Sequence, residues 1–448
     1  MFRKILVANR GEIAIRIIRA CKELGINTVA VYSKADANAL HTRLADEAIC
    51  IGPAETMQSY RNIPNVISAA DVTGADALHP GYGFLAEDGH FVEMCESIGL
   101  TFIGPTAANL TTLGDKAKTR AAMKANGIPV VPGSEGEVAD ESIAQEIATK
   151  IGYPVIIKAC SGGGGRGLRV AYRPSELKKA FAAAQHEGAA VNGREGVYIE
   201  RYVAEPRHIE VQILVDHEGH VIFLGERECS IQRKYQKLIE ETPSPAVNKK
   251  MRKELGHIAT LAVQAVGYLN AGTIEFLLDQ DKNFYFMELN PRIQVEHPIT
   301  EMVTGVDIVK EQIRIAAGLS SQYRQKDIEV RGHSFECRIT AECPERFVPS
   351  PGQINQWHQP GGFGVRVDSG VDNESMVLPH YDSLVAKLIV HGDSREAAIT
   401  KMQCALDEFV VEGIKTTIPL HKRVFRDPDF QNGRLSTKFL ERFISTTS

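Results

Sequence analysis

The first quarter of the chain alternates short apolar runs with amphipathic ones, and this alternation leaves few folds open. Lys4–Asn9 and Asn27–Tyr32 are predicted strands, and Glu12–Leu24 between them has the apolar spacing of an amphipathic helix. Ala75–His79 and Thr101–Ile103 continue the pattern, with glycine or proline closing each unit. Repeated β-α units form a parallel sheet with helices on its faces. The sequence therefore predicts an N-terminal α/β domain.

The pattern changes near residue 115, and 448 residues exceed what one compact core usually supports. A predicted helix over Lys116–Asn126 leads into a strand-rich segment, and the C-terminal stretch contains one clear helix, Ser394–Val410. We expect an α/β domain over 1–114, an α+β domain over 115–330 whose part at about 131–203 is a small strand-rich unit, and a C-terminal domain over 331–448.

The bulk properties argue against several classes of protein. The formal net charge is -5, whereas a nucleic-acid partner normally needs a basic face. No apolar stretch has the length of a transmembrane helix or a signal peptide, and the eight cysteines lack metal-site spacing. We expect a cytoplasmic protein with reduced thiols that binds neither nucleic acid nor membrane.

A glycine-rich loop follows the apolar run that ends at Lys158. Gly162, Gly164 and Gly167 match G-x-G-x-x-G as letters, but Leu168–Tyr172 reads as a strand where a dinucleotide fold requires a helix. The pattern favours a flexible hairpin whose amides close over phosphates, and the alternative is a hairpin without a ligand. An ammonium at the end of an apolar strand is costly without an anion, so Lys158 favours phosphate over a merely snorkelling lysine.

Two β-rich runs flank a polar turn later in the chain, which is typical of a hairpin. If the turn centres between Asp281 and Lys282, Glu275 lies opposite Glu288, and Asn290 points to the same face. Facing carboxylates repel unless solvent or a cation separates them, and hard oxygen ligands suit Mg²⁺. A solvated acidic edge is the alternative, and a one-residue shift in register would separate the two glutamates.

The residues after the hairpin suit a small anionic substrate. Arg292 offers a forked donor set to a planar oxyanion, and Glu296 could accept a proton. The cluster Gln232–Lys237 adds positive charge, although alone it would be read as a solvated basic turn.

Several long motifs in this chain resemble those of biotin carboxylases, and they occur in order over nearly the whole length. The matching segments are His79–Leu85, Lys158 with Gly162–Gly167, Ser230–Lys237, Glu288–His297, His333–Arg338 and Pro349–Gly352. The resemblance implies an N-terminal α/β domain, a central ATP-grasp domain with a mobile glycine-rich lid, and a C-terminal domain that completes the site. It also implies that bicarbonate and ATP, with Mg²⁺ or Mn²⁺, form carboxyphosphate, and that biotin is then carboxylated at N1′.

The resemblance further implies which residues contact the nucleotide. Those expected to contact ATP are Lys116, Lys158, Gly162, Gly163, Gly164, Gly165, His208, Gln232 and Tyr235. The backbone groups expected to line the adenine belong to Glu200, Arg201, Tyr202 and Val203. Tyr235 stands where the family often has histidine, and Arg201 stands where it often has lysine.

The remaining implied roles concern the metal, bicarbonate and biotin. Glu275 and Glu288 are expected to hold the metal, with Asn290 nearby. The residues expected to hold bicarbonate are Lys237, Arg292, Gln294 and Val295, with Glu296 as the base. Arg338 is expected to stabilise the biotin enolate, with Tyr82 beside the ring.

Biotin itself is expected on another protein. Lys124 lies in a segment similar to a biotin-attachment site, but it falls within a predicted helix rather than a hairpin turn. The carrier and the carboxyltransferase are therefore expected as separate chains, acetyl-CoA is the first candidate acceptor, and pyruvate, another 2-oxoacid or another acyl-CoA is the alternative. Family members are commonly homodimers. Two rival hypotheses are an ATP-grasp ligase for a different carboxylate and a non-enzymatic nucleotide-binding regulator.

Overall fold

The computed structural model describes residues 1–159, 167–192 and 196–447. Its first part is a parallel sheet in the order β3-β2-β1-β4-β5, which confirms the predicted α/β class. The strands are β1 Lys4–Val7, β2 Asn27–Tyr32, β3 Glu47–Cys50, β4 Ala77–His79 and β5 Thr101–Phe102. The helices are α1 Gly11–Glu23, α2 Leu40–Leu44, α3 Ile63–Thr73, α4 Gly89–Ser97 and α5 Ala107–Gly114.

The carboxyl ends of β1 and β4 are tied together, and this contact positions Tyr82. Asn9, just after β1, donates from Nδ2 to the carbonyls of Pro80 (2.7 Å) and Tyr82 (2.8 Å) in the loop after β4. Gly81 between them has φ of +64°, and a Cβ there would lie 3.0 Å from Asn9 Nδ2. Glycine suits this position because it tolerates positive φ and lets the Asn9 side chain approach closely.

A small antiparallel sheet of order β7-β6-β8 follows in the chain. Its strands and the neighbouring helices are α6 Lys116–Ala125, α7 Glu141–Ile151, β6 Val155–Ala159, β7 Leu168–Ala171, α8 Pro174–Asn192 and β8 Val197–Arg201. The predicted strand after the glycine-rich loop is confirmed, whereas Gly162, Gly163, Gly164 and Gly165 lie outside the described residues. Lys124 lies in α6, as predicted.

An eight-stranded sheet of order β13-β12-β9-β10-β11-β14-β19-β17 carries most of the remaining chain. The strands are β9 Arg207–Val215, β10 Val221–Arg233, β11 Gln236–Thr242, β12 Asn270–Leu278, β13 Phe284–Asn290, β14 His333–Thr340, β15 Gly352–Gln353, β16 Gln356–His358, β17 Val365–Ser369, β18 Met376–Val377, β19 Leu384–Gly392 and β20 Val410–Glu412. The helices are α9 Lys249–Ala265, α10 His297–Thr304, α11 Ile308–Ala316, α12 Arg395–Glu408, α13 Ile418–Val424, α14 Pro428–Gln431 and α15 Phe439–Thr447. β15 pairs with β18, and β16 pairs with β20.

This sheet is continuous across residue 331, where we predict a domain boundary. β11 lies before that position and pairs with β14 after it, and Ile239 lies opposite Cys337. The boundary at 331 stays a prediction, because hydrogen bonds of one sheet cross it.

The large sheet has one apolar face and one polar face. In β9, Ile209 and Val211 belong to a core that also includes α9, whereas His208 and Glu210 alternate with them and point to the opposite face. Since the polar residues are nevertheless buried, this face lies under other parts of the chain and forms an enclosed site.

None of the helices among the described residues combines the length and the apolar character that a bilayer crossing requires.

Candidate active site

The hairpin of β12 and β13 places Glu275 opposite Glu288, which confirms the predicted pairing. The register nearer the turn differs from the prediction. Phe276 pairs with Phe286, and a one-residue bulge at Met287 restores the pairing of Glu275 with Glu288. The bulge changes which face the side chains take: Phe286 belongs to the core, while Glu288 faces the same side as Glu275. A regular hairpin would instead place Phe286 and Glu288 on one face.

The cations beside the facing glutamates come from the chain itself. Glu275 Oε1 accepts hydrogen bonds from Lys237 Nζ (2.8 Å) and Gln294 Nε2 (3.1 Å), and Oε2 lies 3.1 Å from His208 Nε2. Burial alone would raise the pKa of Glu275, but Lys237 and His208 together hold it far below its ordinary value. Glu288 is about half exposed and pairs with Lys116 at 3.1 Å.

Lys237 is the centre of the cluster. Its ammonium lies 2.6 Å from Glu210, 2.8 Å from Glu275 and 2.7 Å from Glu296. Burial by itself lowers the pKa of a lysine, but the carboxylates around Lys237 raise its pKa well above the ordinary value. The ammonium therefore stays charged throughout the physiological range.

Glu296 is fully buried between two cations. Its Oε1 accepts from Lys237, and its Oε2 accepts from Arg338 Nη2 at 2.9 Å. Burial raises the pKa of Glu296, but Lys237, Arg338 and Arg227 overcome that effect and hold the pKa well below its ordinary value. Arg338 also donates from Nε to Glu240 at 2.6 Å, so the guanidinium bridges two buried carboxylates.

Arg292 joins the cluster through Gln294, which donates to Glu275, and it also bonds to the N-terminal part of the chain. Its Nε donates to Glu87, its Nη1 donates to Gln294 Oε1 at 2.7 Å, and its Nη2 lies 3.4 Å from Asn290 Oδ1. Val295 presents its carbonyl to Lys387 Nζ at 2.9 Å. The loop from β13 to α10 is thus held from both sides.

On the side of the small sheet, Lys158 Nζ lies 2.5 Å from Glu200 Oε2. A carboxylate of the chain thus meets the Lys158 ammonium, and the contact of Lys158 with phosphate stays a prediction. The amides of Arg201 and Tyr202 donate to Pro132 and Pro154 at 2.8 and 2.9 Å.

His208 and Gln232 form a buried pair behind Glu275. Gln232 Nε2 lies 2.8 Å from His208 Nδ1 and donates to the carbonyl of Cys229, also at 2.8 Å. Because Gln232 donates to Nδ1, the ring proton is assigned to Nε2, the atom that faces Glu275.

Two predicted site residues lie apart from this cluster. Tyr235 occupies the turn between β10 and β11 with φ of +66°, and its side chain is 59% exposed. Tyr82 donates its hydroxyl to Glu12, which also pairs with Lys387 at 3.0 Å. Lys387 in turn bonds to Val295, so Tyr82 is linked to the cluster through two buried charges.

Glu275, Glu288 and Asn290 fit a hard divalent cation by their chemistry. The two carboxylates face each other across the hairpin, and Asn290 lies two residues beyond Glu288. Oxygen donors of this kind are the ligands that Mg²⁺ prefers, and the half-exposed Glu288 leaves one side open to water and phosphate oxygens.

Sequence reasoning missed several charged residues that complete the cluster. Glu210, Glu240 and Arg227 are fully buried, and Glu87 and Glu12 reach it from the N-terminal part. A signal was present in β9, where His208, Glu210 and Gln212 alternate with aliphatic residues. Polar residues at every second position of a long strand mark one face, but only the tertiary contacts show that this face is enclosed.

Comparisons with known proteins agree over the whole chain. Family models match for the biotin carboxylase N-terminal domain over residues 1–110, the carbamoyl-phosphate synthase L chain ATP-binding domain over 115–323, and the biotin carboxylase C-terminal domain over 336–442. Biotin carboxylase 1 of Bacillus subtilis (strain 168) is 52% identical over 445 residues, which cover 99% of each chain.

Solved structures are similar to the same extent. A biotin carboxylase complex with β,γ-ATP from Campylobacter jejuni has a TM-score of 0.96 and 46% identity, with 99% of each chain covered. The biotin carboxylase domain of the Hydrogenobacter thermophilus 2-oxoglutarate carboxylase is a dimer in complex with MgADP, ADP and bicarbonate. It has a TM-score of 0.94 and 49% identity, and the match covers 99% of this chain and 98% of that one.

Proposed function

The chain belongs to the biotin carboxylase family, and from this membership we propose that it carboxylates biotin with bicarbonate at the expense of ATP. The observation that carries the proposal is the convergence of Lys237 and Arg338 on the buried carboxylate of Glu296, beside the facing pair Glu275 and Glu288. A base between two cations, next to a divalent-metal donor set, suits a reaction between two anions.

Bicarbonate is proposed to bind between Lys237 and Arg292, against Gln294 and the backbone of Val295. One of its oxygens attacks the γ-phosphorus of ATP, ADP leaves, and Glu296 accepts the bicarbonate proton. Without substrate Glu296 is a weak base, because its cations lower its pKa. The charge of bicarbonate competes for the Lys237 ammonium, which raises the pKa of Glu296 when a base is needed.

The nucleotide is proposed to lie between the small sheet and the β12–β13 hairpin. Lys116 and Lys158 would exchange their present carboxylate partners for phosphate oxygens, with Gly162–Gly165 closing over them. The Val203 amide is proposed to recognise the adenine, because the amides of Arg201 and Tyr202 are already bonded. Glu275 and Glu288, with Asn290 nearby, would hold Mg²⁺, which would neutralise part of the phosphate charge.

Biotin is proposed to reach the site from the side of Tyr82. Carboxyphosphate is proposed to break down to CO₂ and phosphate, the phosphate takes the N1′ proton of biotin, and the resulting enolate attacks CO₂ to give carboxybiotin. Arg338, which already bridges Glu240 and Glu296, stabilises the negative charge of the enolate. The chain acts on biotin carried by a separate protein. Seven free cysteines among the described residues agree with a reducing compartment, and we propose the cytoplasm.

The test is ADP release by the purified chain with MgATP and bicarbonate, measured with and without free biotin. We expect release to depend on bicarbonate and to be stimulated by biotin. As a control, Arg338→Ala should lose the stimulation by biotin and keep part of the bicarbonate-dependent release, because Lys237 still pairs with Glu296 and bicarbonate is proposed to bind to Lys237 and Arg292.

If neither bicarbonate nor biotin changes ADP release by the wild-type protein, this function is rejected and an ATP-grasp ligase for another carboxylate is favoured. No magnesium-dependent turnover at all would favour the nucleotide-binding regulator.

For the final acceptor we propose acetyl-CoA, and the second candidate is a 2-oxoacid because one similar structure belongs to a 2-oxoglutarate carboxylase. A complex purified on the tagged chain from its own cells should incorporate labelled bicarbonate into acetyl-CoA. Incorporation into 2-oxoglutarate or pyruvate instead would favour the second candidate. Light scattering of the purified chain alone tests a homodimer, since that similar structure is a dimer.

A further inference from the structure

Two fully buried carboxylates lie next to Arg338 on the polar face of the large sheet. The register of β11 and β14 places Glu240 directly opposite Glu336, and neither side chain has any exposed surface. Residues directly opposite in antiparallel strands share one face, with Cβ atoms about 4.5–5.5 Å apart. The two carboxyl groups are therefore immediate neighbours in a dry environment.

Three of the four carboxyl oxygens of this pair have no hydrogen-bond donor among the described residues. Glu240 Oε1 accepts from Arg338 Nε at 2.6 Å, but Oε2 has no donor among the described residues, and neither oxygen of Glu336 has one. The nearest cation on the next strand, Lys387, gives its ammonium to Glu12 (3.0 Å) and to the carbonyl of Val295 (2.9 Å). Three buried carboxyl oxygens of two directly opposite residues thus have no donor among the described residues.

Two ionised carboxylates are a costly solution for such a pocket. A buried carboxylate without a hydrogen-bond donor carries a large desolvation penalty, and a second negative charge beside it adds repulsion. One proton removes both problems, because a protonated carboxyl donates to its neighbour and only one charge remains.

We propose that Glu240 and Glu336 share one proton, so that the pair presents a single negative charge to Arg338. Neutral Glu336 donates to Glu240 Oε2, and Glu240 Oε1 holds the Arg338 guanidinium in place. Glu336 is thus a positioning residue for the reaction, acting on Arg338 through Glu240. The link to biotin rests on the function proposed above, whereas the shared proton itself does not.

The electrostatic surroundings support this assignment. Burial raises the pKa of Glu336 well above its ordinary value, Lys387 opposes this rise, and the charge of Glu240 adds to it. The pKa of Glu240 is also raised by burial, although Arg338 opposes the rise. The charged and titratable groups around the pair are Tyr82, Cys229, Lys237, Glu296, Cys337, Arg338 and Lys387.

The direct test is the infrared difference spectrum between wild-type protein and Glu336→Gln at neutral pH. We expect the variant to lose the carbonyl stretch of a protonated carboxyl, because its side chain carries an amide instead. The amide has the shape of the neutral acid, so the surrounding structure should be kept. The matched control is Glu241→Gln on β11, next to Glu240. His333 and Arg395 pair with this buried carboxylate and lower its pKa against the effect of burial. That control should lose the bands of an ionised carboxylate, and loss of those bands in Glu336→Gln would overturn the proposal.

A second measurement needs no variant. Neutron diffraction from crystals of the wild-type protein should show one deuterium between Glu240 and Glu336. No deuterium there, or one on each carboxyl, would overturn the proposal even if the variants fail to fold.

The kinetic consequence concerns biotin. Glu336→Leu should raise the KM for biotin about tenfold or more, as expected for disturbing a hydrogen bond to a charged group. Glu336→Gln should restore most of that loss, because the glutamine amide still donates to Glu240. Equal losses in both variants would show that Glu336 acts as a charged group.

The pH profile separates positioning from a merely structural role. At alkaline pH, loss of the shared proton leaves two charges beside Arg338, so the wild-type KM for biotin should rise, and Glu336→Gln should remove this rise. A rise retained in Glu336→Gln would contradict the shared proton. If wild-type protein shows no activity with biotin, the proposed function fails, and the infrared and neutron results still decide the shared proton.

Discussion

Lys237 is the residue on which the charge balance of the site depends. Its ammonium is the common partner of Glu210, Glu275 and Glu296, and its side chain is almost completely buried. Replacing it with methionine keeps the apolar stem but leaves three carboxylates close together without that cation. Removing one member of a buried ion pair costs about 3–5 kcal/mol, so Lys237→Met should lower the free energy of unfolding by about that amount.

Urea unfolding of the metal-free protein measures this effect. Lys118→Met is the matched control, because Lys118 is exposed and its ion pair in the described part of the chain is with Asp115 at 3.2 Å. The control should change stability by less than about 1 kcal/mol. Equal stability of wild type and Lys237→Met would mean that water, rather than the ammonium, compensates the three carboxylates.

His421, which bonds to the backbone of Arg338, should make the stability of the protein depend on pH. Its Nε2 bonds to the backbone carbonyl of Arg338 at 2.8 Å, and burial lowers the pKa of the ring from 6.5 to about 4. Between these two values the unfolded chain binds a proton that the folded chain does not, so stability falls as pH falls. This single group accounts for about 3 kcal/mol of that loss between pH 6.5 and 4.

His421→Gln should therefore show a flatter fall in the free energy of unfolding over this interval, since the glutamine amide replaces the Nε2 donor without titrating. Denaturant unfolding at several pH values measures the difference. The buried His41, whose pKa is also lowered by burial to about 4, remains in both proteins and contributes equally. Parallel pH curves for the two proteins would show that His421 does not titrate in this range.

At the scale of single elements, the β12–β13 hairpin sets the position of Glu288. The side chain is 39% exposed, and its ion pair among the described residues is with Lys116, which is itself 57% exposed. Such pairs contribute about 0–1 kcal/mol, so Glu288→Gln should change stability by less than about 1 kcal/mol. Because Glu288 is proposed to hold the metal, the same change should lower MgATP turnover about a hundredfold or more.

Turnover with MgATP and thermal unfolding of the same preparations measure both effects. Asp281→Asn removes a carboxylate from the exposed turn of the same hairpin and should leave both values near wild type. Normal turnover in Glu288→Gln would remove Glu288 from the proposed metal site.

The hairpin also shows what the sequence could and could not predict. Its strands, its turn and the pairing of Glu275 with Glu288 follow from apolar runs around a polar turn. The bulge at Met287 does not, because nothing local distinguishes Met287 from a regular strand residue. The bulge follows from tertiary packing, since Phe286 belongs to the core while Glu288 faces the site.

The partners of the cations in the site also could not be predicted from local sequence pattern. Lys158 as a binder of an anion follows from its place at the end of an apolar strand, but its partner Glu200 is on another strand. Likewise, the basic residues around Lys237 are visible as a cluster in sequence, whereas Glu210, Glu275 and Glu296 approach Lys237 from three separate segments. Contacts of this range depend on the topology of the sheet and not on local pattern.

At the scale of the whole molecule, the eight-stranded sheet joins the proposed nucleotide region to the C-terminal part. The core next to β14 contains Ile231 and Ile239 from β10 and β11 together with Phe335 and Phe425 from the C-terminal part. A core and a sheet that both cross residue 331 make separate unfolding of the two parts costly. We therefore expect the parts to behave as one cooperative unit.

The single tryptophan allows a direct test of this coupling. Trp357 lies in β16, within the C-terminal part, and its ring contacts that of Phe409 with centroids 5.1 Å apart. ATP is proposed to bind near Lys158, in the central part. A ligand that binds only the folded state, present at a hundredfold over its Kd, stabilises by about 2.7 kcal/mol, so the free energy of unfolding reported by Trp357 should rise by that amount.

Urea unfolding followed by Trp357 fluorescence, with and without ATP, makes the measurement, and Lys158→Gln provides a control with weakened nucleotide binding. If the Trp357 transition stays fixed while circular dichroism of the same samples shows stabilisation by ATP, the two parts unfold independently. In that event the strand pairing between β11 and β14 would be too weak to transmit ligand binding. A common shift of both signals would instead show that Arg338, on β14, is held in the site by the same cooperative sheet that carries Glu275.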